Sequence, residues 1–399
     1  MFPTRRITTS GGDVFRDEFS LAFDGTNDNI RISDVTVDTD GACAIVFWAK
    51  YAGGGSSPWC VLGNTSDSNS KHLRFVGTDD LKWENDTTDE EAVINLPIAF
   101  TDQQWHHYVV VSNSGTVTAY QDGVACTIAG DNLSSSNCTF NSIGGQGTNG
   151  VVYEYKGNIS EIAIYNKALS ASEAKTLYNG REPYNHKEGV CSSNLQAWWR
   201  MGDGVIDSFP IVQDQVNTNI GSNLVSNPSF DTNTTGWEQY AGGSGDDNVI
   251  SRETSITRSG SGSLKIVYAA GNGGWGARLS GDAITGTANK LMLMEGYVYI
   301  PSGAYNGGSP TIHDGAAFGA TGTTSVVADV NITDQWQYVR TVHILDSSDL
   351  AGTIFLHTTG TDPSAGDILY WDDISVRMLE GNAGQMFNMT ASDFKGDTP

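Results

Sequence analysis

Apolar runs in this chain are short, rich in Val, Ile, Phe, Tyr and Trp, and broken every few residues by Gly, Asn, Asp or Ser. Stretches with apolar residues at helical spacing are nearly absent. A strand needs only a handful of residues before the chain turns, whereas a helix needs several turns of consistent spacing. This punctuation therefore admits many short strands and little helix. Chains of this kind build all-β sandwiches or barrels. The 47 glycines serve the turns, and 10 tryptophans supply core volume that a disordered chain would lack. With 399 residues, two or three domains are expected.

The formal net charge is −24, which repels nucleic acid and anionic membranes and favours solubility. Neither DNA nor RNA is an expected partner, and no segment approaches the ~20 apolar residues needed to cross a bilayer. The start, Met-Phe-Pro-Thr-Arg-Arg, lacks the apolar run of a secretion signal, so synthesis in a cytoplasm is expected. The five cysteines, Cys43, Cys60, Cys126, Cys138 and Cys191, are odd in number and contain no CxxC pair that would suggest zinc. Cys126 and Cys138 flank a short loop and are placed to pair; the other reading is that all five are small buried apolar residues.

From Phe19 to Gly180 the chain reads as strand after strand. Ser20 to Ile32 gives strand, Asp-Gly turn, strand. Ala44-Ile45-Val46-Phe47-Trp48-Ala49 is apolar at every position, as in a strand buried on both faces. Trp105-His106-His107-Tyr108-Val109-Val110-Val111 follows, then a return strand from Thr116 to Gln121 ending at Asp122-Gly123. One helix is expected near 171–178, with Ser170 and Glu173 as its capping box and Asn179-Gly180 as its left-handed stop.

This succession resembles the laminin G-like, concanavalin A-like lectin family. The likeness rests on Phe23-Asp24-Gly25 with Asp28, Phe47-Trp48, Trp105-His106-His107-Tyr108, Asp122-Gly123 and Ile162 to Ser170. It implies a jelly-roll sandwich of two antiparallel sheets. The connector that follows, with Leu195 to Gly204, and the closing phrase Met386 to Phe394 are similar to the tails of laminin G-like structural proteins of bacteriophages. Here that ending is displaced to the C-terminus, so a module is expected to be inserted between the two pieces, which would then lie together.

The inserted stretch resembles carbohydrate-binding modules of the family 4/9 kind, a galactose-binding-like sandwich. Its marks are Asn223 to Asp231 with Gly236-Trp237, then Ser259 to Ile266, then Asp334 to Val339, and finally Tyr370 to Val376. Alternation places Leu291, Leu293, Tyr297 and Tyr299 on one strand face, and Trp336, Tyr338 and Val342 on one face of another. The organisation read from the chain is an N-terminal arm (1–18), a laminin G-like domain (19–180), a connector (181–221), a carbohydrate-binding-module-like sandwich (222–380) and a tail (381–399). The fold class is all-β: two antiparallel jelly-roll sandwiches and one short helix.

Candidates for catalysis are few. Glu84 and Asp86 would share a strand face, but Asn85 to Thr88 reads as a turn, and retaining glycoside hydrolysis needs two carboxylates ~5 Å apart on a rigid floor. His106 and His107 point to opposite faces, so one buried and one exposed ring is expected. No GxSxG, HExxH or phosphate loop occurs. A non-enzymatic protein is expected.

Sugars present apolar C–H faces ringed by hydroxyls and need an exposed aromatic with polar groups at its rim. Trp275, in Gly271-Asn272-Gly273-Gly274-Trp275-Gly276, is the leading candidate, because glycines on both sides deny it a packed strand. Packing and a subunit contact are the competing roles. Arg278, Tyr240 and Tyr305 are supporting candidates, while Trp237, Trp336 and Trp371 are read as core. The family 4/9 resemblance implies a structural Ca2+ joining Asp231, Ser259 and Asp373, the last facing inward beside Ile374. Asp24 and Asp28 could act similarly or simply form their turn. The function expected is a bacteriophage virion protein (capsid decoration, fibre or appendage) adhering weakly to glycans. Its other partners would be further virion proteins and copies of itself; no heptads would trimerise it, so any oligomer would form through sandwich faces or the termini. The alternatives are a purely structural virion protein and an accessory module of a polysaccharide-degrading system.

Overall fold

The computed structural model describes residues 15–54, 59–65, 71–85, 91–130, 133, 137–146, 152–240, 248–271, 273–281, 283–315, 322–345 and 350–399. The chain is nearly all β, in antiparallel sheets stacked as two sandwiches, with one α-helix among the described residues. In the first sandwich an eight-stranded sheet runs from Val124–Ala125 through His106–Asn113, Ala42–Tyr51 and Lys156–Tyr165 to Ser20–Asp24. A nine-stranded sheet containing His72–Val76, Cys138–Ile143 and Asn29–Val37 faces it.

Strand alternation sorts the Ala42–Tyr51 run between two apolar layers. Ile45 and Phe47 point into the sandwich, where Phe47 stacks on Tyr108 with ring centroids 5.0 Å apart. Ala44 and Val46 point the other way, onto Leu169, Ala174, Leu177 and Trp198. The outer face is thus roofed by the helix Ala171–Tyr178, which is why this strand has no polar side. Ser170 and Glu173 close the capping box, and Asn179 takes the left-handed conformation at the helix end. The roof also overturns the expectation of one exposed histidine. Both rings are buried: His107 sits against Trp48 and Tyr178, and His106 lies between Asp102 and Asp122.

The connector and the C-terminal tail complete this sandwich. Leu195–Trp199 pairs with Lys156–Tyr165, Gly384–Phe387 with Asn29–Val37, and Phe394–Lys395 with Ser20–Asp24. Met386 and Met389 enter the same core as Phe47. Connector and tail are bonded to each other as well: Trp199 Nε1 donates to Asn382 O (2.7 Å), and Asp214 accepts from the Asn382 backbone.

Between the connector and the tail the chain builds the second sandwich. A six-stranded sheet, centred on Ile368–Leu379 and Leu291–Tyr299, faces a four-stranded sheet of Trp237–Gln239, Trp275–Leu279, Phe355–Thr359 and Ser309–His313. Phe230, Trp237, Met292, Val298, Leu356 and Trp371 are among its core residues. Trp336 is not. It is half-buried on the outer face of the six-stranded sheet, because Val339 rather than Trp336 lies on the inward face of that strand. Ile211, Leu291, Leu293, Val342, Ile344 and Leu379 form a further apolar cluster that seats this outer face on the connector.

All five cysteines are free, including Cys126 and Cys138. Burial pushes the Cys43 and Cys126 thiols up to about 12. Of the N-terminal arm, residues 1–14 lie outside the described residues. Phe15 stacks on Trp198 and under the Arg200 guanidinium. Asp17 is buried beside Glu161 and Asp203. Burial first, then the neighbouring carboxylates, holds its carboxyl well above the usual range, so it is protonated at neutral pH. A raised carboxyl stabilises the fold fully below its unfolded pKa and loses that contribution as pH rises through the folded value. Asp17→Asn, which mimics the protonated acid, should match the wild type near pH 4 and become the more stable of the two as pH rises towards 9, read as a widening difference in thermal midpoint.

Candidate functional site

The strand Trp275–Leu279 sends Ala277 and Leu279 into the second core and leaves Trp275 and Arg278 on the outer face of the four-stranded sheet. Its register against Phe355–Thr359 shifts between Trp275 and Ala277, a bulge that re-aims the indole. The flanking glycines are required by close backbone approach. A Cβ at Gly274 (φ +82°) would lie 2.6 Å from Thr358 O, and one at Gly276 2.8 Å from Leu356 O. Buried Asn248 ties the backbone together beneath, donating to the carbonyls of Tyr240 (2.8 Å) and Trp275 (2.5 Å). Asn272, within this loop, lies outside the described residues.

Trp275 is half-buried among four other rings. His357 is 4.4 Å away between centroids, Phe355 4.7 Å, Tyr240 5.7 Å and His313 5.8 Å. Arg278 completes the rim. Its Nε donates to Glu238 Oε1 (2.6 Å), and its guanidinium lies 4.5 Å over the Tyr240 ring. Burial first, and then the nearby His313, push His357 down to about 4, so its imidazole is neutral at neutral pH. Its Nδ1 is buried without a hydrogen-bond partner in the protein. Trp275, Arg278 and Tyr240 are therefore brought together, and Tyr305 is not. The Tyr305 hydroxyl donates to Gly308 O and its ring packs towards Tyr268.

Sequence reasoning missed His313, His357, Phe355 and Glu238. They reach Trp275 only across strand pairs, and the sole hint was that each occupies an alternating position on a short strand. The arrangement offers apolar ring surface, a neutral imidazole and a charged fork, which suits binding of a hydroxyl-rich ligand. Pocket geometry alone points elsewhere, to a depression of about 300 Å³ on the connector beside Lys187, Ser192 and Val216, but that hollow gathers no comparable set of rings.

The proposed calcium ligands are drawn to one loop, in an arrangement that does not fit the ion. Asp231 accepts from Ser229 Oγ (2.9 Å) and the Ser261 backbone (2.5 Å), and Ser259 Oγ donates to Asp373 (2.7 Å). Asp373 is half-exposed and already paired with Arg258. The buried carboxylate is its neighbour Asp372, which accepts the backbone N–H groups of Arg258, Ser259 and Asp373. Burial raises Asp372 to about 6. The backbone oxygens that a hard cation would want are taken by Arg252, which donates to Phe230 O (2.9 Å), Asp231 O (2.6 Å) and Ser261 O (2.5 Å).

In the first sandwich, Asp24 accepts from Thr26 N, and Asp28 accepts from Asp24 N, so both carboxylates close their own turn. Glu84 is paired with His72 and Arg74, and Asp86 lies outside the described residues. No described helix is long and apolar enough to cross a membrane.

Residues 24–175 match the model of the concanavalin A-like lectin/glucanases superfamily. The first sandwich is of this laminin G-like kind. Among solved structures, the chain is similar to the CBM22-1 xylan-binding domain from Paenibacillus barcinonensis. Identity there is 18%, covering 40% of this chain and 97% of that one, with a TM-score of 0.31. It is also similar to a heptameric SAP-like pentraxin from Limulus polyphemus (16% identity, 41% and 82% covered, TM-score 0.33). A third likeness is to a putative carbohydrate binding protein from Bacteroides ovatus (12%, 51% and 56%, TM-score 0.38). Among curated proteins there is no match.

Two results should follow from the Arg252 arrangement. Chelation with EGTA should leave the thermal midpoint within about a degree of the untreated protein. Arg252→Ala, which strands three carbonyls, should cost about 1–3 kcal/mol in a denaturant titration.

Proposed function

We propose that this chain is a non-enzymatic attachment protein of the bacteriophage virion kind (a capsid decoration, fibre or appendage) whose sandwiches present lectin-like surfaces to glycans. The cluster around Trp275 carries the reading: an aromatic face rimmed by an imidazole and an Arg–Glu pair is what a sugar ring requires. The virion assignment is supported by the likeness of the connector and closing phrase to phage structural proteins. Other virion proteins and further copies of this chain are its remaining partners. A binding role rather than chemistry is supported by the charged groups, which are spent on structure: Glu84 on His72 and Arg74, His106 on Asp102 and Asp122.

A second reading, a purely structural virion protein, is favoured by the crowding of Trp275 among four rings, which also suits packing. Glycan-array binding by the full chain, with Trp275→Ala as the comparison, separates the two. Affinity should fall about tenfold in the variant. Unchanged binding would remove the site assignment, and no binding by the wild type would favour the structural reading. Binding should weaken as pH falls through about 4, where His357 acquires a charge inside the ring cluster.

A further inference from the structure

The outer face of the six-stranded sheet in the second sandwich is covered by the connector at one end. There Leu291, Leu293, Val342 and Ile344 lie against the connector. Further along the same strands the apolar residues give way to rings, several of which the described residues leave partly exposed. Register places them in a row: Tyr299 is opposite Trp336 on one side and Tyr370 on the other, and Tyr370 is opposite Lys265 on the next strand. Directly opposed residues point to the same face, so the row crosses four neighbouring strands. Ring centroids are 5.6 Å apart for Tyr299–Trp336 and 5.9 Å for Tyr299–Tyr370. A second pair, Tyr297 and Tyr338, runs alongside at 5.3 Å. Tyr338 is exposed, and Trp336, Tyr297 and Tyr299 are half-buried.

The arginines at this end of the face are matched within it, and Lys265 lies 5.9 Å over the Tyr370 ring. Arg258 lies 3.5 Å over the Tyr297 ring and pairs with Asp373. Arg340 pairs with Glu295 at 3.1 Å and donates to the Tyr338 hydroxyl. The same Arg340 donates to Ser208 Oγ (2.7 Å), so the connector loop stands as a wall at the edge of the row. An acidic polymer would meet a chain of net charge −24 whose Arg258 and Arg340 are already paired, leaving Lys265 to attract it, whereas an uncharged one would meet rings bordered by hydroxyls and ion pairs.

We propose that this outer face is a second carbohydrate site, opposite the Trp275 cluster, that takes a neutral polysaccharide lying across the strands along Trp336 and Tyr299, with the buried Tyr370 ring packed beside them. It rests on the attachment reading above but on different residues, on the other sheet. A protein with a site on each face of one sandwich can bridge two chains of a polymer, or hold one at two points, and so gains avidity from weak contacts.

Affinity electrophoresis of the full chain through gels containing mixed-linkage β-glucan, galactomannan or arabinan, with polygalacturonate as the acidic comparison, tests this. With at least one neutral polymer, Trp336→Ala/Tyr299→Ala should weaken retardation about five- to tenfold, and Trp336→Phe/Tyr299→Phe should restore most of it. Trp275→Ala alone should leave a residue of binding that the three changes together abolish. Thermal melts confirm that each variant is folded. Loss of all binding in Trp275→Ala, with none lost in Trp336→Ala/Tyr299→Ala, would overturn this site and leave the first. The reverse would sink the first and leave this one. Stronger retardation by polygalacturonate, or no retardation by any of the neutral polymers, would overturn it. So would wild-type self-association in sedimentation that the Trp336→Ala/Tyr299→Ala variant abolishes, which would make the face a contact between copies.

Discussion

Strand Gly384–Phe387 bonds to Asn29–Val37 and returns the chain to the first sandwich. Asn388 Nδ2 donates to Asn27 O across a separation of 361 positions. Without this return the first sandwich would present an open edge at Asn29–Val37 and lack Met386 and Met389 from its core. The return also brings both ends of the second sandwich to one place on the first. Closing so long an excursion is thermodynamically mild, since loop entropy grows only logarithmically at about 0.6 kcal/mol per doubling. Its consequence is kinetic. Contacts this distant in sequence delay completion of the first sandwich until the last residues are in place.

The junction that results also decides which surfaces remain free. The connector takes one end of the outer six-stranded face through Ile211 and Leu379, and the helix takes the outer eight-stranded face of the first sandwich. Among the described residues, the outer four-stranded face with Trp275 and the far end of the six-stranded face with Trp336 are left partly exposed. Both are aromatic, and both carry arginines in pairs with carboxylates. An acidic protein that exposes rings and keeps its arginines neutralised presents surfaces for uncharged, hydroxyl-rich matter.

Much of this was legible in the chain. The capping box at Ser170 and Glu173 depends on residues three apart, and it is formed. The Ala44–Ala49 run announced a strand with two apolar faces. Trp237 and Trp371 are buried as expected, and Arg278 and Tyr240 do stand with Trp275. Other readings failed for a common reason. Trp336 was assigned to the core and His107 to one of two contrasting environments, yet alternation says only that residues share a face. Which face is inward, and what lies over the other, depends on partners far away in sequence. Asp372 and Asp373 make the same point, because the Arg258 and Ser259 backbone, distant in sequence, buries Asp372 rather than Asp373.

The sequence by itself determined the all-β character, the helix ends and the turn carboxylates at Asp24 and Asp28, because each follows from residues within one turn or one strand of each other. Only the tertiary structure decided that His313 and His357 would meet Trp275, that Arg252 would gather the carbonyls of Phe230, Asp231 and Ser261, and that Trp336 and Tyr299 would stand partly exposed side by side. Those outcomes depend on strand register and on coverage by distant segments, and neither quantity is carried by any local pattern of residues.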